Sequence, residues 1–149
     1  MKLVEECTMR ARLDAPLVIG SGPIGTRVYY GVAGGEVTGE RLRGTVLGGG
    51  DWALVGPDGF VRLDVRLQVR THDDALVYAH YVGLLGMNEA AQRATTTGVG
   101  TGFGEQYFFT NPRFETGDPR YAWLNTTFFV GEGRFVEGPG VEYRLWRPA

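Results

Sequence analysis

The sequence predicts an all-β fold, an antiparallel sheet closed into a barrel with at most one or two short helical turns. Three observations predict it. The 24 glycines are spread through the chain, between short runs rich in Val, Tyr, Phe, Leu and Thr, which is how turns punctuate many strands. Val61, Leu63, Val65, Leu67 and Val69 alternate with Arg62, Asp64, Arg66, Gln68 and Arg70, a period of two that sends neighbouring side chains to opposite faces. Only residues 84–95, with Leu84, Leu85, Met87, Ala90, Ala91 and Ala94, could turn as a helix, and Gly86 weakens even that. With so little helix to cover it, a sheet of this size must close on itself or fold into two packed layers.

In chain order, strands are expected near residues 2–14, 26–38, 41–47, 60–70, 75–83, 105–111, 122–131 and 140–147. Gly56-Pro57-Asp58-Gly59 and Gly138-Pro139-Gly140 read as reverse turns, because proline presets φ and glycine tolerates positive φ. No repeat or internal boundary interrupts the pattern, and 149 residues suit one domain, 1–149. A hydrophobic fraction of 43% and a charged fraction of 21% are those of a chain that folds around its own core.

Charge narrows the partners. A net charge of -2 and a pI near 5.7 leave no excess of Lys and Arg for a phosphate backbone, so nucleic acid is not expected. Arg62, Arg66 and Arg70 each have carboxylates nearby in sequence and read as paired or solvated charges. No run approaches the ~20 apolar residues of a membrane helix. The opening Met-Lys-Leu-Val-Glu-Glu lacks the apolar run of a signal peptide, and the single Cys7 permits no internal disulfide. These features predict a cytoplasmic protein without membrane association.

Gly20-Ser21-Gly22-Pro23-Ile24-Gly25 spells the dinucleotide-binding fingerprint. That motif works only when its last glycine opens a helix whose N-terminus holds the pyrophosphate. Thr26-Arg27-Val28-Tyr29-Tyr30 is β-branched and aromatic, so no nicotinamide or flavin cofactor is expected, nor any other. Gly98-Val99-Gly100-Thr101-Gly102-Phe103-Gly104 lacks the Gly-Lys-Ser/Thr ending of a phosphate loop and reads as a flexible loop. Ser21, the only serine, sits in a glycine turn and has no place in a nucleophile elbow. His72 and His80, the only histidines, fit no familiar metal spacing, so no metal is expected.

Asp51-Trp52 and Tyr121-Ala122-Trp123-Leu124-Asn125 place aromatic bodies beside proton donors and acceptors, a composition that pockets and ordinary cores share. Asp64 and Arg66 lie two apart and share one face of their strand. Solvent and a polar barrel lumen both account for such a face.

Several segments together carry a resemblance. They are Ile19-Gly20-Ser21-Gly22-Pro23-Ile24-Gly25-Thr26-Arg27; Gly49-Gly50-Asp51-Trp52 with Pro57-Asp58-Gly59; Leu63-Asp64-Val65-Arg66 through Thr71; and Pro112-Arg113-Phe114-Glu115-Thr116-Gly117 leading to Tyr121-Ala122-Trp123-Leu124-Asn125. Over nearly its whole length the chain resembles the domain of unknown function 3237 family, also called uncharacterised protein family 0311. His72-Asp73-Asp74-Ala75 departs from the family's usual Asp-Gly turn. The resemblance implies a closed, calycin-like barrel, often oligomeric, with no common activity. It also implies that Asp64 and Arg66 line the barrel interior, since solvation poorly explains a signature on a polar strand face.

Three functions follow as expectations. In the first, a pocket of Asp51, Trp52, Asp64, Arg66, Arg113, Glu115, Trp123 and Asn125 binds an organic carbonyl or acid. Arg66 and Arg113 would hold a carboxylate or enolate, and Trp52 and Trp123 would be the apolar walls. In the second, the pocket is a cofactor-free lyase, isomerase or cyclase. Asp64 or Asp51 would be the base there, with Arg66 and Asn125 stabilising an oxyanion. In the third, Val61, Val65 and Val69 form an exposed face for assembly. A homo-oligomer is expected in any case.

Overall fold

The computed structural model describes all 149 residues. Nine strands follow in order: β1 (Leu3–Leu13), β2 (Leu17–Gly22), β3 (Gly25–Gly39), β4 (Gly44–Val55), β5 (Phe60–Thr71), β6 (Leu76–Gly86), β7 (Phe108–Glu115), β8 (Val130–Val136) and β9 (Gly140–Pro148). One helix, α1 (Glu89–Thr97), follows β6, and a 3-10 segment, Pro119–Thr126, follows β7. The sheet order is β1-β9-β8-β7-β6-β5-β4-β3-β2, and a further β1–β3 pairing closes eight antiparallel strands into a barrel. β2 stands outside that ring as one arm of a hairpin with the first residues of β3.

The period of two in β5 decides which side is inside. Leu63, Val65, Leu67 and Val69 are buried, while Arg62, Arg66, Gln68 and Arg70 are exposed. Burying a side chain of this size stabilises by about 1.5–3 kcal/mol, far more than a solvated charge gains at the surface. The barrel therefore turns its valines inward. This corrects two expectations: Asp64 and Arg66 do not line the interior, and Val65 and Val69 are core rather than an assembly face. Arg62 pairs with Asp58 at 2.7 Å and Arg70 with Asp74 at 2.6 Å, both at the surface.

The fingerprint-like glycines form the β2–β3 turn, with Gly22 paired to Gly25. Gly25 has φ +140°, and a Cβ there would lie 2.7 Å from the Val55 carbonyl oxygen. The strand expected over residues 122–131 is corrected. Its first half belongs to the 3-10 segment, where the Asp118 side chain caps the start by accepting from the Arg120 N–H at 2.9 Å, and only its end enters β8. Tyr121 and Leu124 of that segment are buried and close one end of the barrel.

α1 closes part of the other end. Asn88 caps it by accepting from the Ala91 N–H at 3.0 Å, Gly98 ends it in the left-handed region at φ 76°, and Ala91 and Ala94 are buried. The glycine-rich loop that follows is fastened rather than free. The Thr101 N–H donates to the Phe135 carbonyl at 3.0 Å, and the Phe103 ring lies under the guanidinium groups of Arg144 and Arg134, 4.1 and 4.6 Å from its centroid. This loop covers a seam, because β7 and β8 pair only at Phe109–Glu132 and Thr110–Gly131. The Gln106 amide spans the gap by donating to the Gly133 carbonyl at 3.2 Å.

Candidate functional site

The barrel is filled at one end and hollow at the other. Met9, Leu42, Val46, Val69, Leu124, Phe129 and Leu145 fill the end closed by the 3-10 segment. Towards α1 the interior is not filled. A cavity of about 420 Å³ opens there, lined mainly by apolar side chains including Ala53, Val61, Leu63, Val65, Leu85 and Phe108.

Polar groups are few in this lumen. Asp51 and Asp14 are its only charged residues, and no Lys, Arg or His lines it. Tyr30, Tyr81 and Tyr143 add hydroxyl groups. Cross-strand register brings several of these together: Tyr30 pairs with Asp51, Asp51 with Val65, and Val65 with Tyr81. The Tyr143 ring packs edge-on to both Tyr81 and Phe108, with centroids 5.3 and 5.4 Å apart.

Asp51 is 9% exposed. The β4–β5 pairing stops at Asp51–Val65 and resumes at Leu54–Arg62, and within that interruption the Asp64 backbone N–H donates to Asp51 Oδ1 at 3.0 Å. Burial raises the Asp51 pKa from 3.8 to about 6, against the hydrogen bond from the Asp64 backbone, which lowers it; the Asp64 charge adds to the rise. Burial holds the Tyr81 pKa well above 10, the Tyr143 hydroxyl working against it and the Asp51 charge with it. Burial also raises Tyr143, with Tyr81 and Asp51 adding. Tyr30 is raised by burial and by Asp51. A weakened acid thus faces hydroxyls that keep their protons.

The other residues singled out in the sequence lie elsewhere. Asp64 points outward, its Oδ1 3.1 Å from His80 Nε2. Arg66 is exposed opposite His80. Trp52 packs on Tyr29 on the outer surface, centroids 5.0 Å apart. Arg113, Glu115 and Asn125 come together in an open outer groove with Tyr78 and His80. There the Asn125 amide clamps Thr116, accepting from its N–H at 2.8 Å and donating to its carbonyl at 3.0 Å. Trp123 lies under the Arg41 guanidinium, 3.9 Å from the ring centroid, packed against the core. Of the eight predicted pocket residues, only Asp51 is in the lumen. Buried Cys7, its pKa pushed up to about 12 by burial and then by Glu6 and Glu5, stays a thiol.

Tyr81 and Tyr143 were not anticipated, although the sequence marks them. Each shares the inward phase of its strand, Tyr81 with Val77 and Ala79, Tyr143 with Val141 and Leu145. An aromatic residue with a polar tip in an otherwise aliphatic phase is the signal that finds them.

Fold and site together define a closed antiparallel barrel with a blind apolar lumen and a buried carboxylate. The chain belongs to the DUF3237 family of proteins of unknown function, whose model matches residues 1–148. It is 35% identical over 125 residues to a UPF0311 protein of Rhodopseudomonas palustris, covering 83% of this chain and 82% of that one. It is 33% identical over 132 residues to a UPF0311 protein of Clostridium acetobutylicum, covering 87% and 84%. The R. palustris crystal structure superposes with a TM-score of 0.88 at 30% identity, over 98% of this chain and 96% of that one. A β-barrel-like protein from Acinetobacter baumannii superposes with a TM-score of 0.80 at 26% identity, over 99% and 96%.

Proposed function

We infer that the lumen binds a small, uncharged carbonyl compound and that Asp51 moves a proton within it, as a cofactor-free isomerase, lyase or cyclase does. The observation behind this reading is the Asp51 carboxyl in an apolar cavity without a cation, its pKa raised to about 6 by burial. A general base works best when its pKa lies near the operating pH. At neutral pH Asp51 is mostly ionised and a stronger base than a solvated aspartate.

The step balances simply. A carboxylate oxygen of Asp51 takes a proton from the carbon next to the carbonyl, and the C–H electron pair moves to make an enolate. A tyrosine hydroxyl donates a hydrogen bond to the enolate oxygen. The carboxylic acid then returns its proton to another carbon, or a leaving group departs from the enolate. A well-placed donor is worth a few kcal/mol at such an oxyanion, and Tyr81 and Tyr143 remain donors because burial keeps them protonated. The acid ligand expected from the sequence loses support, since Arg66 and Arg113 are outside and the lumen's own charges are carboxylates.

The test is proton–deuterium exchange at the α-carbon of neutral ketones in D2O, followed by NMR. The expected rate rises with pH through about 6 and then levels, following ionisation of Asp51. Asp51→Asn is expected to lower exchange at least 100-fold while leaving ketone binding within about twofold, and Asp64→Asn to keep both within a few-fold of wild type, with the exchange profile moved to slightly lower pH because the Asp64 charge no longer adds to the Asp51 rise. Wild-type exchange in Asp51→Asn removes Asp51 as the base, and loss of exchange in Asp64→Asn moves the chemistry outside the lumen. Failure of every neutral ketone to bind removes the ligand class.

A further inference from the structure

Closing the barrel leaves one strand with a whole edge unpaired, β2. A bare edge offers a row of N–H and C=O groups to any passing strand, and natural sheets guard such edges with charge, proline, bulges or brevity. β2 has one bulge on its β3 side, between Val18 and Gly20. It has no charge, and no charged residue stands anywhere between Asp14 and Arg27. Its hairpin is also apolar on both faces: Leu17, Val18, Ile19 and Ile24 are 64, 70, 67 and 67% exposed.

We propose that β2 pairs edge to edge with β2 of a second copy of this chain, giving a two-fold dimer with the sheet continuous across it. A strand edge is satisfied only by another strand, and β2 is the one strand that lacks any partner along the whole of one edge. Eight are paired in the ring, and the sparse β7–β8 seam is bridged by Gln106 and covered by the loop carrying Thr101. β2 of one copy thus finds its complement in β2 of another, and a two-fold axis sets the two strands antiparallel and closes the assembly at two. The four exposed apolar side chains present on the order of 400 Å² per copy, as large as the largest patch on an ordinary monomer. The row Leu17–Tyr29–Trp52 extends this patch onto the barrel, which brings the area over both copies towards the ~1,000 Å² of a specific interface. Neutrality of the arm lets two copies of net charge -2 meet there without placing like charges in contact.

The dimer also bears on the lumen. Leu13, Asp14 and Pro16 line the cavity and lead directly into β2, so pairing of the arms holds one side of its mouth.

Sedimentation equilibrium of the full chain at tens of micromolar is expected to give twice the 16.3 kDa chain mass. Leu17→Lys and Val18→Lys, at exposed positions on opposite faces of the arm, are each expected to weaken the dimer at least 30-fold without altering the far-UV circular dichroism. Leu84→Lys, on the outer face of β6, is expected to leave it intact. A monomeric wild type overturns the proposal. So does a dimer that survives both arm substitutions, or one that Leu84→Lys dissociates as readily.

Discussion

Asp51→Asn is expected to make the protein more stable at pH 7, raising its melting temperature by on the order of 5–10 °C. In the folded chain Asp51 gives up its proton at about 6 instead of 3.8, so the folded state binds that proton more tightly than the unfolded state. Its favourable contribution is complete below pH 3.8, declines as pH rises towards 6, and is gone above that. The rise corresponds to about 3 kcal/mol at neutral pH, and an uncharged amide avoids this cost while its Oδ1 can still accept from the Asp64 N–H. Wild type and variant should therefore converge near pH 4 and separate progressively up to about pH 6.5. Thermal melts at half-unit intervals check the shape of the curve. A difference that stays constant with pH would mean that the Asp51 charge is not its source. A side chain that weakens its own fold at working pH is what a site retains when chemistry depends on it.

Gly49→Ala is expected to leave little folded protein, with a loss above about 3 kcal/mol. Gly49 has φ +143°, a region that side chains rarely adopt, and a Cβ there would lie 1.9 Å from the Arg66 carbonyl oxygen and 2.9 Å from the Leu67 Cα. Both obstacles are backbone of the adjacent strand, so no rotamer relieves the collision, and separating β4 from β5 would break the ladder beside Asp51. Gly117→Ala is the matched control, because a Cβ at Gly117 meets nothing within 4 Å. Urea unfolding should place it within about 0.5 kcal/mol of wild type, and an equally mild Gly49→Ala would mean that the strands tolerate a wider spacing.

The strands were legible because alternation and glycine punctuation are local. Residues 60–70 match β5 almost to the residue, and the helical pattern near Ala90, Ala91 and Ala94 marks α1. Residues 122–131 misled because Phe128, Phe129 and Val130 have strand character while Pro119 and the Asp118 cap, just upstream, start a 3-10 turn. For the site, Asp51 was legible as a carboxylate beside aromatics. Family likeness points Asp64 and Arg66 into the lumen, but the aliphatic phase of their own strand, Leu63, Val65, Leu67 and Val69, is the one that turns inward. Arg113, Glu115 and Asn125 do converge, but outside, because β7 turns Phe108, Thr110 and Phe114 inward. Where the core ends and the hollow begins depends on side chains from eight strands meeting across the barrel, and no single segment records that.

The β7–β8 seam gives the ring a preferred place to part. Along β5 and β6 the ladder runs unbroken from Phe60–Gly86 to Arg70–Leu76, whereas β7 and β8 share two positions. Backbone amides on either side of the seam should trade hydrogen for deuterium before those of β5, through openings that leave the rest of the ring closed. Such a barrel breathes like a rolled sheet held along its join by a few stitches, and its slowest amides lie along the unbroken β5–β6 ladder.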